Sequence, residues 1–421
     1  MGEPGETTNF RNPKDPLPFG VFALFTPDEA MEKDRPPRLK RRGLVILVCL
    51  ALMGASWAAA QSAEFVENVY AQGLGQSMAR GLAFVSGLVP TSLAEVVLLA
   101  ACVYLLLPGF VAALHVFQRK RRILNAIAGG FFRFWAFAAV VALTFYLAWG
   151  LNYARSPLPQ RLGWKAVETP SGDAEYARQT DELARLCAQL VQAANDNYMQ
   201  AMGSEDFGRP SFPPADSLAF EDALDRGFER VQRRLALEES FAVSRGRAKP
   251  VAASILMCYL GIGGFYFPWT GEANYNRLLP AFTQPQIIAH EKAHQRGITS
   301  EDEANFLGYL ACISSDDAYS RYSGYLFGQR QLLAELYRRD APRAQALLKQ
   351  RLPGVQRDVD YLRAWWQQYE GAAQEVSASV NDAYLKSQGV KGGVASYAAS
   401  QSLIILFARN NGDSAVVELP R

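Results

Sequence analysis

Histidine is nearly absent from this chain. There are three in 421 residues. One of them, His115, closes an apolar run just before a basic cluster, the place of an interfacial residue and not of a ligand. A three-histidine metal site is therefore excluded. Lysine and arginine number 43 against 41 acidic residues, and so neutral a balance carries no electrostatic footprint for nucleic acid. The five cysteines are odd in number and lack a C-x-x-C pair, which excludes a disulfide framework. Cys49 and Cys102 lie in apolar runs. Cys187, Cys258 and Cys312 read as small buried residues, with room for one disulfide. No internal repeat or low-complexity tract is present.

Long apolar runs are present, and all lie in the first 155 residues. Gly43 to Ala60, Leu93 to Phe117 and Phe134 to Leu151 are long and nearly uncharged, which suits transmembrane helices better than core helices. Glu95 stands near the start of the second run. Pro108 and Gly109 lie inside it and are tolerated in membrane helices. Trp135, Tyr146, Trp149 and Tyr153 flank the third run as interfacial aromatics do. The first run begins behind some forty mostly polar residues, too far in for an ordinary cleaved signal peptide. Arg35, Arg38, Lys40, Arg41 and Arg42 precede the first run, and Arg119, Lys120, Arg121 and Arg122 follow the second. Only Arg80 lies between those two. The positive-inside rule then places the N-terminus in the cytoplasm and everything after Asn152 outside it.

These boundaries divide the chain into a cytoplasmic tail (1–42), a membrane domain with three spans (43–154) and an extracytoplasmic domain (155–421). The last is joined through the proline-containing linker Arg155 to Arg161. It carries amphipathic helical patterns at Ala174–Ala201, Ser217–Phe241 and Asp358–Lys386. Trp365 and Trp366 in the last of these read as core. Val251 to Asn276 is different: apolar, rich in β-branched and aromatic residues and broken by glycines, it reads as a hairpin or two short strands. The expected fold is mostly α, with three membrane helices followed by a zincin-like, predominantly helical domain holding a short β-hairpin or small sheet.

The two remaining histidines stand together in His290-Glu291-Lys292-Ala293-His294. Such an H-E-x-x-H pentad is expected by chance on the order of 0.001 times in a chain this poor in histidine, so coincidence is a weak rival. Residues four apart share a helix face, so His290 and His294 can present two nitrogens to one zinc ion, with Glu291 beside them as proton acceptor. The helix has readable ends. Thr283 and Gln286 form a capping-box pattern, Pro285 sits in the first turn, and Gly297 is a natural stop, giving a helix from about Gln284 to Arg296.

A catalytic zinc site needs a third protein ligand, and no histidine remains downstream. The carboxylates of Ser300-Glu301-Asp302-Glu303-Ala304-Asn305 are the candidates. Glu301 shares a face with Asn305, which would orient it from the second shell. Glu303 is the alternative ligand, but with Ser300 as N-cap it also fits a capping box. Asp302 suits the helix dipole. Glu272 and Asn274, just upstream of the pentad helix, are candidates for polar substrate contacts, with a plain polar turn as the alternative. Tyr325, Tyr384 and Tyr397 are candidates for stabilising an oxyanion.

His294-x-x-Gly297 resembles the glycine turn of the metzincins, with Ser300 where they place a third histidine. Glu301-x-x-Ala304-Asn305 resembles the E-x-x-A-D helix of membrane gluzincins, at a much shorter distance from the pentad. A broader resemblance rests on three N-terminal spans together with WGLNYAR (149–155), YFPWTGEANYN (266–276), HEKAHQRGI (290–298), EDEANFLGYLAC (301–312) and NDAYLKSQG (381–389). In these the chain resembles the bacterial family known as domain of unknown function 3810. The resemblance implies a membrane-anchored, zinc-metallopeptidase-like protein of the bacterial inner membrane. Its pentad positions fall on His290, Glu291 and His294 and its acidic stretch on Glu301 and Glu303. It supplies no substrate. The expected activity is hydrolysis of peptide bonds in a peptide or protein on the extracytoplasmic side, by a zinc-bound water that Glu291 activates. The alternative is a non-hydrolytic zinc-binding sensor or assembly factor. Intramembrane proteolysis is disfavoured, because the pentad's neighbours are polar and lie outside the apolar runs.

Overall fold

A computed structural model describes residues 36–119, 122–165, 170–213, 220–388 and 400–418. Most of the tail 1–42, the start of the helix expected from Ser217, and Tyr397 lie outside these residues.

The membrane part begins with α1 (Pro36–Ala60). A stretch of π-helix (Phe65–Leu74) then runs straight into α2 (Gly75–Gly87), followed by α3 (Leu93–Phe117) and α4 (Ile123–Ala148). Among the described residues three helices are long and apolar enough to cross a membrane: Leu39–Ala60, Leu93–Phe117 and Ile123–Ala148. The third differs from the expected Phe134–Leu151. It begins eleven residues earlier and includes Arg133. The span ends at Ala148 because Trp149 leaves the helical region.

Three crossings require the loop after α1 and the chain after α4 to share one side of the membrane, and the bonds agree. On that side Tyr70 Oη donates to the Leu147 carbonyl at 3.0 Å, and Arg155 grips Glu67 at 2.6 Å. On the opposite side Arg42 donates to the Gly129 carbonyl.

Among the described residues that follow, the regular structure is helical except for one small sheet. Its helices are α5 (Leu158–Arg161), α6 (Asp173–Met202), α7 (Phe220–Leu235), α8 (Glu239–Ala242) and α9 (Ser254–Tyr259) before and within the sheet region. After it come α10 (Gln284–Gln295), α11 (Glu301–Ile313), α12 (Ala318–Arg339), α13 (Ala341–Leu348), α14 (Pro353–Gln367), α15 (Ala372–Ser387) and α16 (Ser400–Asn410). The helix expected over Ser217–Phe241 breaks at Ala236, which takes a positive φ of 48°. The one expected over Asp358–Lys386 is two helices, parted before Gly371.

The strands are β1 (Lys249–Pro250), β2 (Gly264–Phe267) and β3 (Glu272–Tyr275), in the order β1-β3-β2. β2 and β3 form the expected hairpin, with Phe267 opposite Glu272. β1 adds in parallel on the far side of β3, so β3 is central and β2 is an outer strand.

The core joins α6, α7, α10, α11, α12 and α16 through residues such as Leu190, Phe228, Ile288, Phe306, Leu332 and Phe407. Trp365 is buried in a smaller cluster with Cys258 and Leu279, as expected. None of the five cysteines forms a disulfide.

Candidate metal centre

α10 is buried along nearly its whole length although it is rich in polar residues. Burying such a helix is costly unless most of its polar groups are paired. Lys292 and Arg296, one turn apart on the face opposite the pentad's acid and imidazoles, both reach Asp225 of α7 at 3.1 Å. Arg296 also lies over the Phe228 ring. The helix starts without the expected capping box: the Thr283 hydroxyl donates to the Pro280 carbonyl, and the Gln286 amide donates to the Asn305 carbonyl. It ends at Gln295, and Gly297 takes the left-handed turn with φ 86°. Its final carbonyls are bonded from three directions. Trp149 Nε1 donates to His294 O at 3.2 Å, Arg245 to Gln295 O, and Gln76 Nε2 to Arg296 O at 2.9 Å.

His290 and His294 stand one turn apart with their Nε2 atoms 3.0 Å from each other. α11 returns after the Gly297 turn and brings Glu301 to the same point. Its Oε2 lies 3.2 Å from His290 Nε2 and 3.4 Å from His294 Nε2. This is the one group of potential metal ligands found among the described residues. Zinc bonded at about 2.0–2.2 Å to nitrogen and oxygen in tetrahedral geometry keeps its ligands about 3.3 Å apart, so the spacing fits. Ile298 O accepts from His294 Nδ1 at 2.6 Å, which orients the ring with Nε2 toward the cluster.

Glu291 is buried with one oxygen 4.0 Å from His290 Nε2. The backbone N–H of Tyr266 on β2 reaches its carboxylate, while Oε2 has no partner. Burial pushes the Glu291 pKa up to about 7 against the pull of the two histidines. Burial would lower the pKa of His294, but Glu301 beside it raises it to about 9. Burial likewise acts to raise the Glu301 carboxyl, and the two histidines hold it well below the usual carboxylate range. These opposed shifts favour one positive charge at the point where the three groups meet, which is where a divalent cation fits. Cation binding there would displace a proton.

The other sequence candidates are placed as follows. Glu303 is turned away from the cluster. Its Oε1 accepts the Leu158 N–H at 2.6 Å and its Oε2 is 3.7 Å from Arg161. It therefore makes no capping box with Ser300, whose hydroxyl donates to Asp302 instead. Among the described residues no bond joins the Asn305 side chain to Glu301. Asn305 contributes only its backbone carbonyl, to Gln286.

Glu272 and Asn274 do not face the cluster as substrate contacts would. They lie on the central strand. Glu272 accepts the Leu93 and Ala94 N–H groups at 3.1 and 2.9 Å, capping the start of α3, and Asn274 Oδ1 accepts from the Ser92 hydroxyl at 2.7 Å. Tyr325 is a core residue whose hydroxyl accepts the Val417 N–H. Tyr384 is near the site: its hydroxyl lies 3.1 Å from that of Tyr153, and the Glu301 charge acts on it.

Sequence reasoning missed three contributors. Trp149 holds the His294 carbonyl and packs its ring edge against the imidazole at 6.0 Å between centroids. Tyr266 holds Glu291 through its backbone. Gly264 lets β2 pass over Glu291, since a Cβ there would lie 2.7 Å from Oε1. The motifs WGLNYAR and YFPWTGEANYN contain Trp149 and Tyr266, but nothing in their composition assigns them to a metal cluster.

The family described as Protein of unknown function (DUF3810) matches residues 70–405. That range holds α3, α4, the sheet and the whole cluster. No curated protein and no solved structure matches the chain.

Proposed function

The chain belongs to this family, and from the cluster's own geometry we propose that it is a membrane-anchored zinc metallopeptidase. One observation carries the reading. Three ligand atoms converge within 3.0–3.4 Å of one another, and the carboxylate of Glu291 stands beside them with one oxygen unpartnered. His290, His294 and Glu301 would hold the ion. Zinc, when bound, supplies Lewis acidity, which acidifies a coordinated water toward pH ~7 and polarises a carbonyl. Glu291 takes the proton from the attacking water and passes it to the leaving amine. A carboxyl with a pKa near neutrality is suited to both halves of that task. The Tyr266 N–H fixes one Glu291 oxygen and leaves the other free to act. β2, as an outer strand, offers a backbone edge to an extended peptide. Tyr153 and Tyr384 stand where a hydroxyl could meet a developing oxyanion.

A second reading, a zinc-binding module that does not hydrolyse, is favoured by the closed setting. The four side chains of the cluster are at most 14% exposed. Mass-spectrometric metal analysis of the full chain in detergent, run beside cleavage of a pool of fluorescence-quenched peptides, separates the readings. The peptidase reading expects zinc in wild type and in Glu291→Gln, cleavage only in wild type, and no zinc in His290→Ala or Glu301→Gln. Zinc without cleavage leaves the second reading. Folded wild type without zinc sinks both.

The setting we propose is the bacterial inner membrane, with the part after α4 outside the cytoplasm. Lys40, Arg41, Arg42, Arg119 and Arg122 support this orientation by the positive-inside rule. A reporter fused after Arg155 tests it.

A further inference from the structure

α2 leaves an apolar face uncovered. On one side Gln76, Ala79, Ala83 and Ser86 are buried. Gly271 at the β2–β3 turn packs on the α2 backbone at Ala79 and Ala83, and Lys249 donates to the Ser86 carbonyl. On the other side Leu74, Met78, Val85 and Leu88 form a stripe at helical spacing, interrupted only by Gly81, and they are 39–72% exposed. An apolar stripe of this kind on a soluble surface signals a partner.

The chain's own connectivity identifies the partner. The helical segment 65–87 starts five residues after Ala60, the end of one span, and stops six before Leu93, the start of the next. Both of its ends are therefore tied to the same face of the membrane. A helix so tethered runs along the bilayer surface. Its buried side carries the sheet and the end of α10, so its apolar stripe faces the other way, toward lipid.

A second element marks the same level. Glu95, in the first turn of α3, accepts the Ala252 and Ala253 N–H groups at 2.9 Å each. This ties α9 to the membrane end of a span. On α9, Ile255 and Leu256 are more than half exposed.

We propose that α2 and α9 are embedded as an apolar collar in the interfacial layer of the bilayer. Amphipathic helices of this kind sink about 5–10 Å into the boundary between headgroups and acyl chains. The cluster is then held at the membrane surface, because Gln76 bonds from the buried side of α2 to the last turn of the pentad helix.

The test uses the full chain in lipid nanodiscs and reads no activity, so it stands apart from the peptidase reading. Cys102 is exposed and the other four cysteines are buried, so a Cys102→Ala background allows selective labelling. Single variants Val85→Cys, Leu256→Cys and, as a water-facing control on α12, Tyr337→Cys carry a bimane fluorophore. Leu88→Cys replaces Val85→Cys if the latter does not fold. The labels at 85 (or 88) and 256 are expected to lose most of their fluorescence to lipids bearing a nitroxide just below the headgroup and to resist aqueous iodide. The control should do the reverse. Labels on α2 and α9 that iodide quenches like the control would overturn the proposal. So would labels shielded from both quenchers, since that pattern means a second copy of the chain, and not lipid, covers the face.

Discussion

Gly308 sets the distance between the two helices that make the cluster, and replacing it tests the site without touching a ligand. A Cβ at this position would lie 2.8 Å from the His290 backbone nitrogen, 3.1 Å from its Cα and 3.2 Å from the Ala289 carbonyl carbon. All three are backbone atoms of α10, so no side chain can swing aside. A carbon needs roughly 3.5 Å from such neighbours. In Gly308→Ala, α11 must therefore retreat from α10 by about 0.7 Å or twist by an equivalent amount. Overpacking of this kind costs about 1–3 kcal/mol. Glu301 rides on α11, while His290 and His294 ride on α10. The 3.2 and 3.4 Å spacings then stretch beyond the ±0.2 Å or so that metal–ligand distances tolerate. Zinc affinity should fall roughly 10–100-fold, as when ligand orientation is disturbed from outside.

The assay is competition with a chromogenic chelator on full-length protein, with thermal unfolding alongside. Gly264→Ala is the control. Its clash is with Glu291 and with the Asn274 carbonyl of β3, so zinc should remain while the carboxylate proposed as the base is displaced. A folded Gly308→Ala protein with unchanged zinc affinity would refute the claim that this contact sets the ligand spacing.

Four further outcomes are expected. Glu303→Ala keeps its zinc but loses about 1–3 kcal/mol of stability, because the buried Leu158 N–H is left without an acceptor; zinc loss in this variant would return Glu303 to the ligand set. Asp225→Asn loses about 3–5 kcal/mol, since Arg296 is left as a buried cation without a carboxylate and Lys292 keeps only Glu221, at 3.5 Å. Burial acts to raise the Asp225 carboxyl, but Lys292 and Arg296 lower it overall. The unfolded chain therefore takes up the proton first as pH falls: the stabilisation is full above the ordinary aspartate value near 3.9 and fades as pH drops through the lower folded value. An acid-side slope of melting temperature present in wild type and missing in Asp225→Asn checks this. If the chain is a peptidase at the bilayer surface, an acyl-anchored peptide is cleaved faster than the same peptide free, by its higher local concentration; equal rates in vesicles argue against a surface-facing mouth. Residues 155–421 expressed alone fail to retain zinc, and co-expression with 1–154 restores it. A folded, zinc-loaded fragment would show that the contacts from the membrane part are dispensable.

The parts of the structure legible in the sequence were those with a period or a fixed spacing. The first two spans, α6, the β2–β3 hairpin and the pentad helix all announced themselves in this way. What stayed hidden depended on contacts between distant segments. Ser300 and Glu303 have the spacing of a capping box, yet Glu303 bonds to Leu158, because the linker after α4 packs there and offers an unpaired N–H. Thr283 and Gln286 failed as a cap for the same kind of reason. Glu272 and Asn274 looked like site residues because they are polar in an apolar stretch. Their partners are the N-terminal groups of α3, about 180 residues earlier in the chain, and no local pattern points across that separation. The segment 65–87 carries no long apolar run, and the two-sidedness of α2 depends on the sheet that buries one of its faces.

The boundary between a membrane domain and an extracytoplasmic domain at residue 154 also dissolves on this view. A helix buried as α10 is must have the carbonyls of its last turn satisfied, or each costs a desolvation penalty of about 1–3 kcal/mol. Three of them take side-chain donors from distant segments, and of these only Gln295 O takes its donor, Arg245, from the same half of the chain. His294 O, which also accepts the Gly297 N–H at 2.9 Å, takes its side-chain donor from Trp149, the residue just after the third span. Arg296 O depends on Gln76, from the loop between the first two. The same turn leads through Gly297 into Ile298, whose carbonyl aims the His294 ring, and on to Glu301. The turn that orients two of the three proposed ligands is therefore held in part by donors from the membrane part. An anchor that only tethered a finished enzyme would need a linker and nothing more. Here the spans and their connecting helix form one wall of the site.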